Sequence, residues 1–483
     1  MLIREQLNSI AKDRFLILDG AMGSVIQTLN LDEKSYRGSL FANHTTPLEG
    51  CNDILCLTRP GAIGAIHDTY LAAGADIIET CSFNSTSVSL ADYGLGHLSY
   101  EICAAAAKIA RNSADKFSTN DKPRFVAGSL GPTAKGASLY PDVNNPSKRS
   151  IRWDDLETAY YDNARGLLDG GVDLFLVETI FDTLNAKAAL HAIGRLLEER
   201  QIDVPVMISA AISGDAGRLL SGQALEAFLI SVKHVKLPFG GQPWSVGLNC
   251  SFNAPKLLPH IRQLSEITPC FVSVYPNAGL PNKFGRYEET PEIMSSNIEP
   301  FLKEGLVNII GGCCGSTPAH VAAIAGKANQ YTPRKIKVTP SGVCFSGLEP
   351  FYSQDNKVQI TKIDKPKDKE DFKACLQAGE YEDAADIARD IIESGESILV
   401  IETDNENSIS AFLDYALMNP YIAKAPFFIN SKNIDVIVAG LKRLQGRGLA
   451  GPVNQQNEVQ LIRSLGAAAV ETIADGHALI VPE

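Results

Sequence analysis

Residues 174–182, LFLVETIFD, followed by residues 183–200, TLNAKAALHAIGRLLEER, decide the fold. The first stretch is a near-continuous apolar run, as expected of a strand buried on both faces of a parallel sheet. The second places apolar residues at helical spacing, so together they read as one strand–helix unit. The same unit recurs from residue 15 to residue 314. Its runs are FLILDG (15–20), DIIETCSF (76–83), FVAGSLGP (125–132), LFLVETIFD (174–182), VPVMISAAI (204–212), SVGLNC (245–250), CFVSVYPN (270–277) and VNIIGGCC (307–314). Eight such units predict a (β/α)8 TIM barrel in an α/β chain. The competing arrangement is an open doubly wound sheet. It would carry a G-x-G-x-x-G turn after the first run, where this chain has DGAMGS.

Beyond residue 330 the texture changes. YTPRKIKVTPSG (331–342) reads as a Pro-containing linker and DNKVQITKIDKPKDKEDFK (355–373) as a mixed-charge stretch, which places a boundary near Lys335. The expected domains are therefore 1–335 and 336–483. In the second, strand-like SILVIETD, APFFINS and AAAVETIAD alternate with helix-like YEDAADIARDIIESG and NIDVIVAGLKRLQG. This part is shorter than the ~250 residues of a closed barrel. It is expected to form an incomplete α/β domain whose open sheet edge is covered by the first barrel, by a second copy in a homodimer, or by a partner.

Composition excludes several classes. Of 483 residues, 45% are hydrophobic and 21% charged, the balance of an ordinary globular chain. MLIREQLNSIAKDRF at the N-terminus has no apolar core of a signal peptide, and no stretch reaches the ~18 apolar residues of a membrane helix, so a cytoplasmic chain without a membrane span is expected. A net charge of -12 argues against nucleic-acid binding. Ten cysteines in such a chain are no disulfide framework. Cys51, Cys56, Cys81, Cys103, Cys270, Cys344 and Cys375 are scattered singly and read as small buried hydrophobes.

Active sites of these barrels lie at the C-terminal strand ends. The residues closing the runs are Asp19, Glu79 with Thr80, Gly131 with Pro132, Glu178, Ser209, Asn249 with Cys250, Asn277, and Cys313 with Cys314. Adjacent cysteines within a strand would face opposite ways, but Gly311, Gly312 and Gly315 allow both sulfurs to face the mouth. Three thiolates at one point suit zinc with an open fourth position. On pattern alone, three inert buried thiols remain the alternative. Such a site carries net negative charge, which suits holding a substrate thiol as a thiolate that attacks carbon better than splitting water. None of the eight histidines falls in the ring. Asp19 and Glu178 suit the ammonium of an amino acid, and the Gly20–Ser24 turn suits its carboxylate. The alternative for Asp19 is a helix cap. Thr317-Pro318 reads as the start of the last helix, just behind the cysteines.

Several segments closely resemble the homocysteine-binding barrel of cobalamin-dependent methionine synthase: LILDGAMGSVIQ, GADIIETCSFNSTSVSLADY, VAGSLGPTAKGASLYPDV, VETIFDTLNAKAA, GLNCSFNAP, PNAGLPNKFG and NIIGGCCGSTPAHVAAI. The resemblance implies a zinc ion on Cys250, Cys313 and Cys314 that activates homocysteine. It also implies a methyl group delivered from methylcobalamin on another protein, since no cobalamin domain is recognisable here. By motif position Asp19 and Glu178 hold the substrate's amino group, and Gly20, Gly23, Ser24, Glu79, Thr80 and Asn249, from the first turn and the strand ends, are expected to complete its site. Cys81 stands where the family has Asn, and Tyr275 where a His often precedes Pro-Asn-Ala-Gly. Related enzymes take the methyl from S-methylmethionine or betaine, and these donors remain alternatives, as does a non-catalytic homocysteine- or zinc-binding subunit.

FSGLEPF, YEDAADIARDIIESGESILVIETD and APFFINSKNIDVIVAGLKRLQGRG resemble the first half of the same family's pterin-binding barrel. Its pterin-holding groups are eroded: the strand after Glu349-Pro350 is replaced by VQITKIDKPKD, the Asp-x-Asn-x-Asp motif by Glu402, Asp404 and Glu406, and Ile-Asp-Ser-Ser by Ile429-Asn430-Ser431. Folate is therefore not expected to bind.

Overall fold

The computed structural model describes residues 2–336, 342–360 and 366–482, apart from Val143, Gly240 and Phe284, with backbone alone at 366–369. The expected linker at 331–342 and the mixed-charge stretch lie partly outside these residues, at 337–341 and 361–365.

Among the described residues, eight parallel strands form one sheet: β1 (Leu16–Ile17), β2 (Ile77–Glu79), β3 (Phe125–Leu130), β4 (Leu174–Ile180), β5 (Val206–Ala210), β6 (Ser245–Asn249), β7 (Phe271–Tyr275) and β8 (Ile309–Ile310). Each strand pairs with its sequence neighbour, β8 pairs with β1, and a parallel bridge between Leu18 and Ile77 joins β1 to β2. The expected TIM barrel is the fold. β1 and β8 are short because the chain crowds there. A Cβ on Gly311 would come within 2.9 Å of the Leu18 and Asp19 carbonyl oxygens, so only glycine permits that approach.

Side chains alternate along each strand, and their inward set changes character from one end of the barrel to the other. Phe125, Ala127, Leu174, Leu176, Met207 and Phe271 form a buried cluster within the barrel. The N-terminal helix Ile3–Asp13 closes that lower end with Leu7 and Ala11, and its Asn8 accepts a 2.7 Å hydrogen bond from the Trp244 indole. Two residues further along the same strands the inward side chains are Ser129, Glu178, Ser209, Asn249 and Tyr275, all buried. Apolar layers thus end in a polar layer at the mouth.

A second sheet contains β11 (Lys357–Gln359), β12 (Leu399–Glu402), β13 (Phe427–Asn430), β14 (Leu449–Gly451), β15 (Ala468–Ala474) and β16 (His477–Ile480), preceded by a hairpin of β9 (Val343–Ser346) and β10 (Pro350–Ser353). β12 to β15 run parallel, while β16 and β11 add antiparallel strands. This is half a barrel, with β12 at one edge. The two sheets' surroundings meet through buried polar contacts. Lys187, in the helix Thr183–Arg200, donates to the carbonyls of Leu444 (2.8 Å) and Gly446 (3.0 Å). Gln223 donates to the Gly347 carbonyl and Ser231 meets Ser346. No helix among the described residues is long and apolar enough to cross a membrane.

Candidate active site

The fold brings Cys250, Cys313 and Cys314 together, their sulfur atoms all within 4.8 Å of one another and each partly exposed. Cys250 and Cys314 are 3.6 Å apart. Cys250 follows β6 directly and adopts φ +58°, a left-handed conformation that costs a non-glycine residue about 1–3 kcal/mol. Asn277, at the end of β7, donates its side-chain N–H to the Cys250 carbonyl and holds the strained turn. The Cys313–Cys314 segment is tied on several sides. Cys313 N–H donates to the Pro276 carbonyl (2.8 Å), and Ala278 N–H to the Cys314 carbonyl (2.9 Å). Ser316 Oγ donates to the Cys313 carbonyl (2.6 Å) and accepts from Ala21 N–H (3.1 Å).

Three soft donors this close, anchored by backbone rather than by one another, can hold a metal ion. Their own electrostatics agree. Cys250 and Cys313 donate to Cys314, with the Tyr287 hydroxyl, and hold its thiol well below the ordinary range; sharing that charge raises the other two. The cluster is thus predisposed to carry negative charge. Cys81 is not part of it: its buried sulfur lies 3.8 Å from the Asn52 carbonyl. As expected, five more of the scattered cysteines are buried, while Cys375 is partly exposed.

Beside the thiols stand three carboxylates. Asp19 is 2% exposed and Glu178 3%, and Glu79 is half-buried. Asp19 accepts from Glu79 N–H on the neighbouring strand (3.0 Å) and does not cap the following helix, which excludes the cap alternative; its other oxygen is buried without a partner. Glu178 accepts from Ser129 Oγ (2.5 Å). Burial and mutual repulsion push Asp19 and Glu79 well above the carboxylate range, and burial, with repulsion from Cys314, raises Glu178 to about 7. These groups therefore favour protons, or a cation in place of them, at neutral pH. The buried Tyr275 hydroxyl also lacks a hydrogen-bond partner.

The remaining expected residues mostly position others. Thr80 Oγ1 accepts from Ser129 N–H (2.9 Å) and contacts Ser82, so it fixes the serine that holds Glu178. Asn249 Nδ2 donates to Thr179 Oγ1 (2.7 Å), and its Oδ1 accepts from Thr179 N–H (3.0 Å) and Ser209 Oγ (2.7 Å). This clasp holds the irregularity in β4, where Thr179 has φ +54° and the register shifts between Val177 and Ile180, beside Glu178. Ser24 Oγ accepts from Gly315 N–H (3.0 Å), tying the first turn to the cysteine loop. A Cβ on Gly20 would lie 2.8 Å from Ser316 Oγ, whereas Gly23 has ordinary space around it. Helix Pro318–Ala328 starts where Thr317-Pro318 indicated, with Thr317 contacting His320.

Sequence reasoning missed Ser129 and Tyr287. Ser129 is signalled by period-two counting along β3, which puts it on the inward face at the mouth. Tyr287 follows β7 by a long loop, and nothing in its local sequence announces that its ring packs against Gly315.

Residues 16–328 match the model of the homocysteine S-methyltransferase family. Among solved structures, the chain is similar to the homocysteine methyltransferase MmuM from Escherichia coli. Against its oxidized form the identity is 21%, over 65% of this chain and 96% of that one, with a TM-score of 0.50. Against its metallated form the identity is 22%, over 67% and 99%, with a TM-score of 0.48. At 21% identity the likeness to the oxidized form speaks to the barrel fold alone, and the family match spans most of the chain. The chain belongs to the homocysteine S-methyltransferase family and is a methyltransferase.

Proposed function

We propose that this chain is a zinc-dependent homocysteine S-methyltransferase that forms methionine with a methyl group carried by a separate corrinoid protein or by methylcobalamin. The observation that carries this reading is one mouth holding both three clustered thiols and three carboxylates with raised proton affinity, two of them buried and the third half-buried. Cys250, Cys313 and Cys314 would hold the zinc, which supplies a Lewis acid that takes the proton's place on the substrate thiol and keeps its sulfur nucleophilic.

The chain's own residues orient the substrate. Asp19, Glu79 and Glu178 receive the ammonium, which replaces the protons they otherwise favour, and the Asp19 oxygen that lacks a partner is available to it. The Gly20–Ser24 turn takes the substrate carboxylate through the N–H groups of Gly20 and Gly23, since Ala21 N–H and the Ser24 hydroxyl are already engaged. Thr80 and Asn249 act one step back by fixing Ser129 and the β4 irregularity. In the transfer the substrate S–C bond forms as the donor–methyl bond breaks, and the thiol proton leaves to solvent.

We further propose that residues 1–335 and 336–483 are separate domains and that the second does not bind folate. In it Glu402 is held by Lys373 (2.7 Å) and Asp404 accepts from Ser431 (2.8 Å), so two carboxylates of the eroded motif are already engaged within the chain. Methionine formation from homocysteine should be measured with methylated corrinoid protein, methylcobalamin, S-methylmethionine and betaine. The reading expects turnover with a corrinoid donor; turnover confined to S-methylmethionine or betaine would replace that donor. Homocysteine binding without turnover from any of them would overturn the assigned reaction.

A further inference from the structure

Two adjoining hollows lie between the barrel's mouth loops and the helices of the second sheet. The smaller is about 290 Å3 and the larger about 370 Å3, and both are lined by Ala137, Arg149 and Arg443. The smaller hollow is walled by the loop after β3 and residues 220–222 on one side and by Leu348 and residues 417–445 on the other; the larger is walled by that first loop, Trp153, Asp154 and Leu184 and by residues 406–443. Five polar atoms of residues lining the smaller hollow are buried without a hydrogen-bond partner: Arg149 Nη1, Arg443 Nε, Ser138 Oγ, Ser221 Oγ and Gln445 Oε1. A native interior leaves few such groups, and five around one space is a concentration that a ligand explains.

The charge balance gives that ligand its sign. Asp414, almost fully buried, is surrounded by three guanidinium groups: Arg149 at 3.0 Å, Arg443 at 3.6 Å and Arg152 at 3.8 Å. Arg149 itself has only 6% of its side chain exposed, and its other contacts are the Tyr140 hydroxyl and ring. The other acids of the larger hollow do not offset this excess. Asp154 is paired with Lys442 at 2.5 Å, and Glu406 and Asp435 are exposed at its rim. No acidic residue lines the smaller hollow. Arg152 is half-exposed, so the buried excess is that of Arg149 and Arg443 over the single Asp414, and such an excess is costly unless an anion meets it.

We propose that the smaller hollow is a binding site for a small hydroxylated oxyanion, a carboxylate or phosphate. Its charged head lies between Arg149 and Arg443 with Ser221 donating to it, and a hydroxyl of the ligand donates to Gln445 Oε1. The site is distinct from the cysteine cluster but attached to the same end of the barrel, because Ser138 N–H on the first loop donates to Asp182 Oδ2 just after β4 (2.8 Å). Its occupant would bridge the barrel and the second sheet.

The test is calorimetric titration of the full chain with inorganic phosphate and with malate, with chloride at matched ionic strength as the control. Saturable binding of one equivalent of phosphate or malate is expected, unaffected by saturating homocysteine, and the tighter of the two identifies the head group. Arg149→Gln should weaken it at least about tenfold. Ser221→Ala, which leaves the Asp414 cluster intact, should weaken it severalfold with an unchanged circular dichroism spectrum. The proposal fails if neither anion binds beyond the chloride effect, if homocysteine competes, or if both variants bind as the parent does; water alone then fills the space.

Discussion

At the residue scale the site gathers three thiols and three carboxylates whose like charges repel at one mouth. Glu178 carries the clearest consequence. Its carboxyl is raised from the ordinary 4.5 to about 7 by burial, so between those values the folded chain holds a proton that the unfolded chain has lost. Stability from this group is therefore full below about pH 4.5 and is lost as pH rises through about 7. An ammonium that takes the proton's place reverses the trend. Homocysteine is thus expected to raise the melting temperature more at pH 8 than at pH 6, as differential scanning calorimetry at both pH values will read. Replacing Glu178 with Gln keeps the shape and removes the charge. Losing a charge-assisted hydrogen bond of about 1.5–3 kcal/mol should weaken homocysteine binding about 10- to 100-fold while zinc content stays unchanged. Equal loss of zinc and homocysteine affinity would place Glu178 with the metal ligands instead.

At the scale of elements, strand ends and the turns after them do the positioning. The (β/α)8 order was legible because each buried parallel strand is a near-continuous apolar run, and the cysteines were legible because they close two of those runs. What sequence could not supply is orientation. The left-handed Cys250, the Thr179 irregularity clasped by Asn249, and the packing of Tyr287 on Gly315 arise only from contacts between distant strands. The Asp19 alternative shows the same limit, since its partner is Glu79 N–H on the neighbouring strand and not the helix beside it in sequence. Gly315 offers the test at this scale. It has φ +80°, and a Cβ there would lie 2.2 Å from the Tyr287 side chain. Gly315→Ala should shift the cysteine turn and lower zinc affinity by about 10- to 100-fold, the range of lost support to metal ligands. Competition with a chromophoric chelator measures it, and an unchanged affinity would show that the turn is held without that glycine.

At the scale of the whole molecule, the barrel and the half-barrel share one continuous apolar cluster, with buried polar contacts set into the seam. Lys187 sits in it, fully buried, and burial lowers its ammonium to about 7. Between that value and the ordinary 10.5 the unfolded chain binds the proton and the folded chain does not, so stability should rise with pH over this window. Lys187→Met removes that rise, and urea denaturation at pH 7 and pH 9.5 compares the slopes. A parent slope no steeper than the variant's would mean that the two carbonyls keep Lys187 charged. The half-barrel's eroded motif predicts a calorimetric blank with methyltetrahydrofolate, and saturable binding there would restore a pterin site to it.

The central claim is that three thiolates of this chain hold a zinc ion with one position left for the substrate sulfur. X-ray absorption at the zinc edge of the metal-replete chain, with and without homocysteine, tests it most directly. The account predicts three sulfur neighbours at about 2.3 Å, rising to four when homocysteine is added, with the Cys313→Ser variant losing one sulfur or the metal. A sulfur count that homocysteine leaves unchanged, or stoichiometric zinc with no sulfur lost in that variant, would contradict it.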